Sequence, residues 1–576
     1  MRLAARLWFV ALLLTSGTAG QIPAQTDEVV EVRVTGVDVV VTDSRGIPIE
    51  GLTKNDFEIL EDGKPHEISN FQEVKLGKGG SPGQSFEGSG TSDRSADGRS
   101  VPHGRRFIVY LDNVTLSPGA RNELLLAGAN FMRRNLQKND QVLIATWNRS
   151  MRIRLSWTSD LKKVQQTFDL LMKEDATASA AAAERRMVES QIRQMALDNK
   201  LQESSGSFSG PANSYGDLVA SARRYAASVQ NDVEQSMGAL SKLLATLSGV
   251  DGRRILLMAS QSLPTRPGSD MFQLLDDLQN APGAGPGGAL PKTMGQQSKS
   301  GSLAGEISSY DTSKAIQTVA RAANAAGVTI YALNPIADGA SSSAGVERTA
   351  PGSASMDFTM TNAGMEGFQI LANSTGGQAM IGARAPVAFA ALEQDLRSYY
   401  SIGYRSRAGD SAERSIEVRS KNSAHRVRTR RNVFYKSLQM EMADHVVANH
   451  YQEQFPNNLQ VSLAVGGAVQ EEGGKKILPL RVLVPVARLS IIPEGNEFVG
   501  GFSVYVSSAD ARGNVSAVSL QKHDIRWPRE AYQQLKGKSF TFATDVVVIE
   551  VGRKTVSVGV VDRMSQEMGF AKLTLP

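Results

Sequence analysis

The chain of 576 residues contains no cysteine. That absence excludes disulfides, zinc–thiolate centres, iron–sulfur ligation, cysteine nucleophiles and a lipid anchor attached through cysteine. Charge of one sign is missing too: 63 Lys and Arg stand against 58 Asp and Glu, a net charge of +5. So small an excess leaves no electrostatic footprint for dedicated nucleic-acid binding. Histidine is scarce, with six in all. His445 and His450 are off the i, i+4 spacing that sets two ligands on one helix face. No apolar run reaches the ~20 residues that a spanning helix needs. No integral membrane segment is therefore expected after the N-terminal leader.

What is present begins with that leader. Arg2 and Arg6 form a cationic start, and Leu7 to Leu14 (LWFVALLL) is a short apolar core. Ser16 to Gly20 then supplies small residues for cleavage. This order reads as a signal peptide over 1–20, with the mature chain starting near Gln21. Export to the periplasm, the cell surface or the medium is the expectation.

The rest of the chain has an ordinary globular composition, 41% hydrophobic and 21% charged. At roughly 150 residues per unit it has room for about four units. Residues 28–76 alternate as strands, with Glu61-Asp62-Gly63-Lys64 as a hairpin turn, and predict a small β domain without a cluster of catalytic residue types. Val30, Val32 and Val34 alternate on one parity and Val37, Val39 and Val41 on the other, which predicts a bulge or bend at Gly36. Residues 77–104 are Gly-, Ser- and Asp-rich, the composition of a flexible linker.

From 105 to 436 the pattern is α/β. Phe107 to Leu111 is a continuous apolar run ending in Asp112, as a buried parallel strand reads. Further strands follow at Gln141 to Trp147, Met151 to Trp157 (its antiparallel neighbour), Arg254 to Ala259, Gly327 to Leu333 and Tyr399 to Tyr404, with helical segments between them. The expectation is a doubly wound, mainly parallel sheet. Two long helical stretches at 178–250 read as an inserted hairpin, coiled-coil-like in its stripe and dispensable for the core. Arg426, Arg428 and Arg430 share one strand face, expected to be solvated or paired with a neighbouring acidic surface. Residues 457–576 alternate as strands between turns and predict a β-sandwich-like domain.

Several local patterns occur together: Val39-Val40-Val41-Thr42-Asp43 with Arg45-Gly46, Leu52-Thr53-Lys54-Asn55-Asp56-Phe57, Glu61-Asp62-Gly63-Lys64-Pro65, Asn139-Asp140-Gln141-Val142, Thr375-Gly376-Gly377 and Tyr399-Tyr400-Ser401-Ile402-Gly403-Tyr404. In this order they resemble the exported VWFA-related family first grouped from acidobacteria, and Phe107 to about Arg431 resembles a von Willebrand factor A domain. The resemblance implies a Rossmann-like sheet with a Mg²⁺-dependent adhesion site at its top. The family's first motif there is Asp-x-Ser-x-Ser. In this sequence Asp112 is in place, but Val114 and Leu116 hold the serine positions, while Thr115 and Ser117 stand one residue later. Thr177 would correspond to the Thr-bearing loop, and Ser260-Gln261 replace the later Asp.

These residues define the expected binding crown: Asp112, Thr115, Ser117, Thr177, Ser260 and Gln261. A retained metal would use Asp112, Thr115 and Ser117; with one sure carboxylate the expectation is no cofactor, Mg²⁺ being the alternative. The favoured reading is an exported, non-enzymatic protein-binding or scaffold protein with a protein partner and a degenerate adhesion site. The alternatives are a secreted or periplasmic hydrolytic enzyme and a structural envelope component.

Overall fold

The computed structural model describes residues 33–75, 104–174, 178–205, 215–280, 300–335, 364–406, 411–452, 455–467, 470–472, 475–510, 514–548 and 554–575. The expected signal peptide, the expected linker except Gly104, and Thr177 lie outside the described residues. The chain enters through four strands: β1 (Arg33–Thr42), β2 (Phe57–Glu61), β3 (Lys64–His66) and β4 (Ile68–Lys75).

A mixed α/β unit follows. Its elements are β5 (Arg106–Asp112), α1 (Pro118–Asn135), β6 (Gln141–Trp147), β7 (Met151–Thr158), α2 (Leu161–Lys173), α3 (Ala178–Ser205), α4 (Tyr215–Leu247) and β8 (Arg254–Ala259). They continue with α5 (Ser269–Asn280), α6 (Ser300–Ser309), α7 (Ser313–Ala325), β9 (Val328–Pro335), α8 (Glu366–Thr375), β10 (Ala379–Ala383) and α9 (Ala385–Asp395). The six strands lie in the order β7-β6-β5-β8-β9-β10. All pairs are parallel except β6 with β7, as the short connection between those two strands requires. Strand order reverses between β5 and β8, so the loops that leave these two strands diverge and open a crevice.

Both faces of β5 are covered, which is why its sequence is apolar without alternation. Ile108 and Tyr110 join Leu256 and Met258 beneath α4, α7 and α8. Phe107, Val109 and Leu111 join Ile255 and Leu257 beneath α1, α2 and α9.

The helical stretch at 178–250 is not a detachable hairpin. Val233, Met237, Leu240, Leu244 and Leu247 of α4 belong to the core of the sheet. Their i, i+3/i+4 spacing carries an apolar stripe down to the end of the helix, and such a stripe is stable only when buried. Only α3 and the first half of α4 form a satellite. Val188, Ile192, Leu218 and Ala222 there close a separate small core with Met271 and Phe272 of α5.

After α9 the chain leaves the parallel sheet. β11 (Ser398–Ser406), β12 (Ala412–Ser420), β13 (Arg426–Arg428) and β14 (Asn432–Tyr435) return to the N-terminal strands. They build two antiparallel sheets, β13-β1-β11-β4 and β14-β12-β2-β3. Residues 28–76 are therefore half of a unit rather than a domain, and the α/β unit ends before 398 rather than at 436. The cause is the period-2 pattern at Tyr400, Ile402 and Tyr404, whose single buried face packs on Val37, Val39, Phe57 and Ile59. No bulge occurs at Gly36: the register with β11 runs unbroken from Arg33 to Val39. Thr35 turns inward in line with Val37 and Val39, and its hydroxyl donates to the Tyr435 hydroxyl at 3.0 Å.

The interior of this β unit also holds a polar knot that the alternating pattern hides. Glu61 is buried and accepts hydrogen bonds from Ser406 and from the Tyr435 hydroxyl, each at 2.9 Å. The Tyr404 hydroxyl lies 3.0 Å from that of Tyr435, and His66 Nε2 stands 3.5 Å from Glu61. Residue types used in catalysis meet here only because Tyr404, Ser406 and Tyr435 join Glu61 and His66 of the 28–76 segment. They bond to one another and tie strands from the two ends of the α/β segment together.

The C-terminal part starts with α10 (Leu438–Asn449) and continues through β15 (Ser462–Val465), β16 (Gln470–Glu472), β17 (Lys475–Pro485), β18 (Ile492–Glu494), β19 (Glu497–Ala509) and β20 (Ser519–Pro528). It ends with α11 (Arg529–Leu535), β21 (Ser539–Val548), β22 (Lys554–Asp562) and β23 (Met568–Leu575). Two antiparallel sheets share one core, with Leu480 and Val482 from one and Phe502, Val504, Val558 and Val560 from the other. α10 wedges between units: Met442 and Val446 pack on Tyr505 and Val561, while Ala448 joins the core of the parallel sheet. Among the described residues no helix is long and apolar enough to cross a membrane.

Candidate functional site

β5 and β8 end side by side at the switch point, and their last side chains set the geometry of the crown. The backbone carbonyl of Asp112 accepts from Leu116 N at 3.0 Å, and its Oδ1 accepts from Val114 N at 3.1 Å. This turn swings Thr115 back over the strand end. The Thr115 hydroxyl donates to Asp112 Oδ2 at 2.9 Å and lies 2.8 Å from Ser260 Oγ. Ser260 Oγ donates to the same Oδ2 at 2.9 Å, so the three side chains close a triangle.

Gln261 extends the triangle outward. Its backbone N–H donates to Thr115 Oγ1 at 3.1 Å. Its side-chain Oε1 accepts from Ser117 N at 2.5 Å, and Nε2 donates to the Pro335 carbonyl at 3.1 Å. Ser117 precedes Pro118 at the start of α1, where a backbone N–H needs an outside acceptor. One glutamine thus bridges the loops after β5 and β9. Four of the five described crown residues are joined by side-chain hydrogen bonds. Ser117 enters through its backbone, and its own Oγ is buried without a hydrogen-bond partner.

Val114 and Leu116, at the serine positions of the adhesion motif, are buried in the two cores that flank the sheet. They fix the loop by packing instead of supplying oxygen. Asn334, at the end of β9, went unnoticed in the sequence. Its Nδ2 donates to the Gln261 carbonyl at 2.9 Å and its Oδ1 accepts from Gly382 N at 3.3 Å. A polar residue closing an apolar strand (VTIYALN) was the available signal.

Electrostatically the crown is a buried carboxylate in a neutral cage. Burial pushes the Asp112 carboxyl up to about 6, against the opposing pull of the Thr115 and Ser260 hydroxyls. Both of its oxygens already accept from the protein. Among the described residues no group of three or more His, Asp or Glu side chains is placed to hold a metal ion. This donor set does not fit Mg²⁺, which demands octahedral oxygen coordination and several charged or water ligands.

The arginine stripe is largely used internally. Arg428 pairs with buried Asp395, and its Nη1 donates to the Gly377 carbonyl at 3.2 Å. Arg430 Nη2 donates to the Gly36 carbonyl at 3.2 Å. The two histidines are also structural. His445 Nδ1 lies 3.0 Å from the Gly249 carbonyl, and His450 is buried 2.7 Å from the Thr555 hydroxyl.

No protein-family model matches the chain, and no curated protein matches it in sequence. Among solved structures it is similar to the human COPII-coat protein Sec24c, at 9% identity and a TM-score of 0.19. That alignment covers 84% of this chain and 45% of the other.

Proposed function

We propose that this chain is an exported, non-enzymatic protein-binding or scaffold protein. Its recognition surface is a von Willebrand A-like crown at Asp112, Thr115, Ser117, Ser260 and Gln261, degenerate as a metal-dependent adhesion site. The observation that carries the reading is the convergence of Asp112 and Ser260 at the point where strand order reverses. Open parallel sheets bind their ligands in that crevice. The finer assignment to a VWFA-related family rests on the sequence resemblance and on the single antiparallel edge strand β7 beside five parallel strands.

A crown of one engaged carboxylate and otherwise neutral hydrogen-bonding groups favours a partner that offers amide and hydroxyl groups over one that delivers a carboxylate to a metal. The experiment is affinity capture from envelope extract on immobilised 21–576, in Mg²⁺ and in EDTA. Wild type, Gln261→Ala and Asn334→Ala are compared, with 457–576 as a separate bait. The expected result is a protein retained equally in both buffers and lost with either crown variant. Retention by 457–576 alone, or undiminished retention by both variants, would place recognition elsewhere and refute the proposal.

A further inference from the structure

At the foot of the parallel sheet, opposite the crown, arginines gather without an ion pair among the described residues, and Arg106 Nη1 donates to the Asn139 carbonyl at 3.0 Å. Arg106 and Arg254 are register neighbours on β5 and β8, so their side chains leave the same face of the sheet. Arg254 is anchored at one end of its fork: Nη1 donates to the Ser248 and Val250 carbonyls at 2.9 and 2.8 Å, just past the end of α4. Arg430 is anchored through Nη2 on the Gly36 carbonyl. A remaining nitrogen of each fork lies beside Gly327, in the turn between α7 and β9. A Cβ built on Gly327 would lie 2.9 Å from Arg254 Nη2 and 3.7 Å from Arg430 Nη1. Gly327 itself has a φ of +60°, which a side chain would strain.

Two guanidinium groups within 4 Å of one point repel each other unless something negative stands between them. The carboxylates of Asp251 and Asp444 act on Arg254 from a distance, and Asp251 on Arg106 as well, but neither closes an ion pair with them. Among the described residues no ion pair reaches Arg106, Arg254 or Arg430, and Asp444 is taken up by Lys436 at 2.6 Å. The Nε atoms of Arg106 and Arg254 are buried without hydrogen-bond partners. Unpaired buried donors of this kind are costly, and more so when charged.

We propose that Arg254 and Arg430, with Arg106 behind them, form a binding site for a small tetrahedral oxyanion: inorganic phosphate, sulfate or the phosphate end of a small monoester. The protein's own carbonyls fix one nitrogen of each fork and leave another free for an anion oxygen at about 2.8 Å. Gly327 supplies the gap between them. Burial first and Arg430 second drive the Arg254 side chain down to about 10, against the opposing pull of Asp251 and Asp444, and a bound anion adds to that opposing pull. The site joins the α/β unit to the strands of the β unit. Its occupancy therefore favours the docked arrangement and is independent of the crown.

The test is calorimetric titration and thermal melting of 21–576 with sodium phosphate, against sodium chloride at matched ionic strength. Arg430→Gln is the informative variant, because Arg254 also caps α4. The expected result is saturable, phosphate-specific binding with a rise in Tm, weakened at least tenfold in Arg430→Gln. If that variant melts early in chloride, Arg430→Lys takes its place; it keeps the charge and loses the planar fork, and it should also bind more weakly. A phosphate response no larger than chloride's, or one that the substitution leaves intact, would overturn the proposal. So would pelleting with phosphatidic acid vesicles without any response to free phosphate, since that would show a lipid surface instead of a small-anion cradle.

Discussion

Tyr110 on β5 and Ser236 on α4 share a hydrogen bond of 2.9 Å between their hydroxyls, inside the core of the sheet. Burial pushes the Tyr110 phenol well above its ordinary value, so it acts there only as a neutral hydrogen-bonding group. The contact makes α4 a layer of the α/β unit. Replacing 178–250 by a Gly/Ser linker is expected to abolish cooperative melting. Within the helix, Leu244→Ala should cost about 2–5 kcal/mol, because Leu244 is fully buried. Exposed Met187→Ala on α3 should cost under ~0.5 kcal/mol. Denaturant unfolding of the three proteins checks this. A cooperative, near-native melt of the deletion would show that the sheet closes without α4.

This distinction marks where the sequence was readable. Phe107 to Leu111 announced a central strand because burial on both faces leaves a continuous apolar run. Tyr399 to Tyr404 announced a strand equally well, but not its partners. Alternation specifies one buried face and nothing about which chain segment lies alongside, so the pairing of Tyr400 with Val39 and Glu73 had no local signature. The meeting of Asp112, Thr115, Ser260 and Gln261 was legible because parallel strands deliver their ends to one crevice. Asn334 and the Arg254–Arg430 approach depend on loop geometry across distant segments, and no spacing rule encodes that.

Arg428 on β13 reaches across to Asp395 at the end of α9, and the Tyr331 hydroxyl donates to the other Asp395 oxygen at 2.6 Å. Asp395 is only 4% exposed. Arg428→Ala would leave this carboxylate buried with a single donor, and removing one member of a buried pair costs about 3–5 kcal/mol. Asp395→Asn in the same chain should recover part of the loss. Chemical denaturation of the single and double variants measures both steps. A loss below ~1 kcal/mol, the figure for an exposed pair, would mean that water reaches this joint.

His450 gives the C-terminal junction an acid limit. Burial first, and Lys572 second, lower its imidazole to about 4 from an ordinary 6.5. The folded chain therefore keeps His450 neutral while the unfolded chain takes up a proton. Its contribution is fully present above about 6.5 and is lost as pH falls towards about 4, on the order of 3 kcal/mol in all. His450→Gln should flatten this limb of the stability curve between pH 7 and pH 4. An unchanged acid slope in that variant would show that His450 titrates as it does in water.

Asp112 has the opposite sign. Its folded carboxyl titrates near 6 where the unfolded one titrates near 3.8. Between those values the fold holds a proton that the unfolded chain has released, so this stabilising contribution is lost as pH rises through the window. Above it the ionised group costs about 3 kcal/mol relative to low pH. Asp112→Asn cannot ionise, so its stability relative to wild type should improve by about that amount from pH 4 to pH 7. A bound divalent cation would reverse the trend, because positive charge beside the carboxylate favours its ionised form. The triangle of Asp112, Thr115 and Ser260 provides one carboxylate whose lone pairs are already engaged, too little to strip water from Mg²⁺. Addition of Mg²⁺, Mn²⁺ or Ca²⁺ should therefore leave the pH profile of the wild type in place. Micromolar calorimetric binding of any of the three that disappears in Asp112→Ala, together with a downward shift of the Asp112 titration, would mean that Thr115 and Ser117 rearrange to complete a metal site.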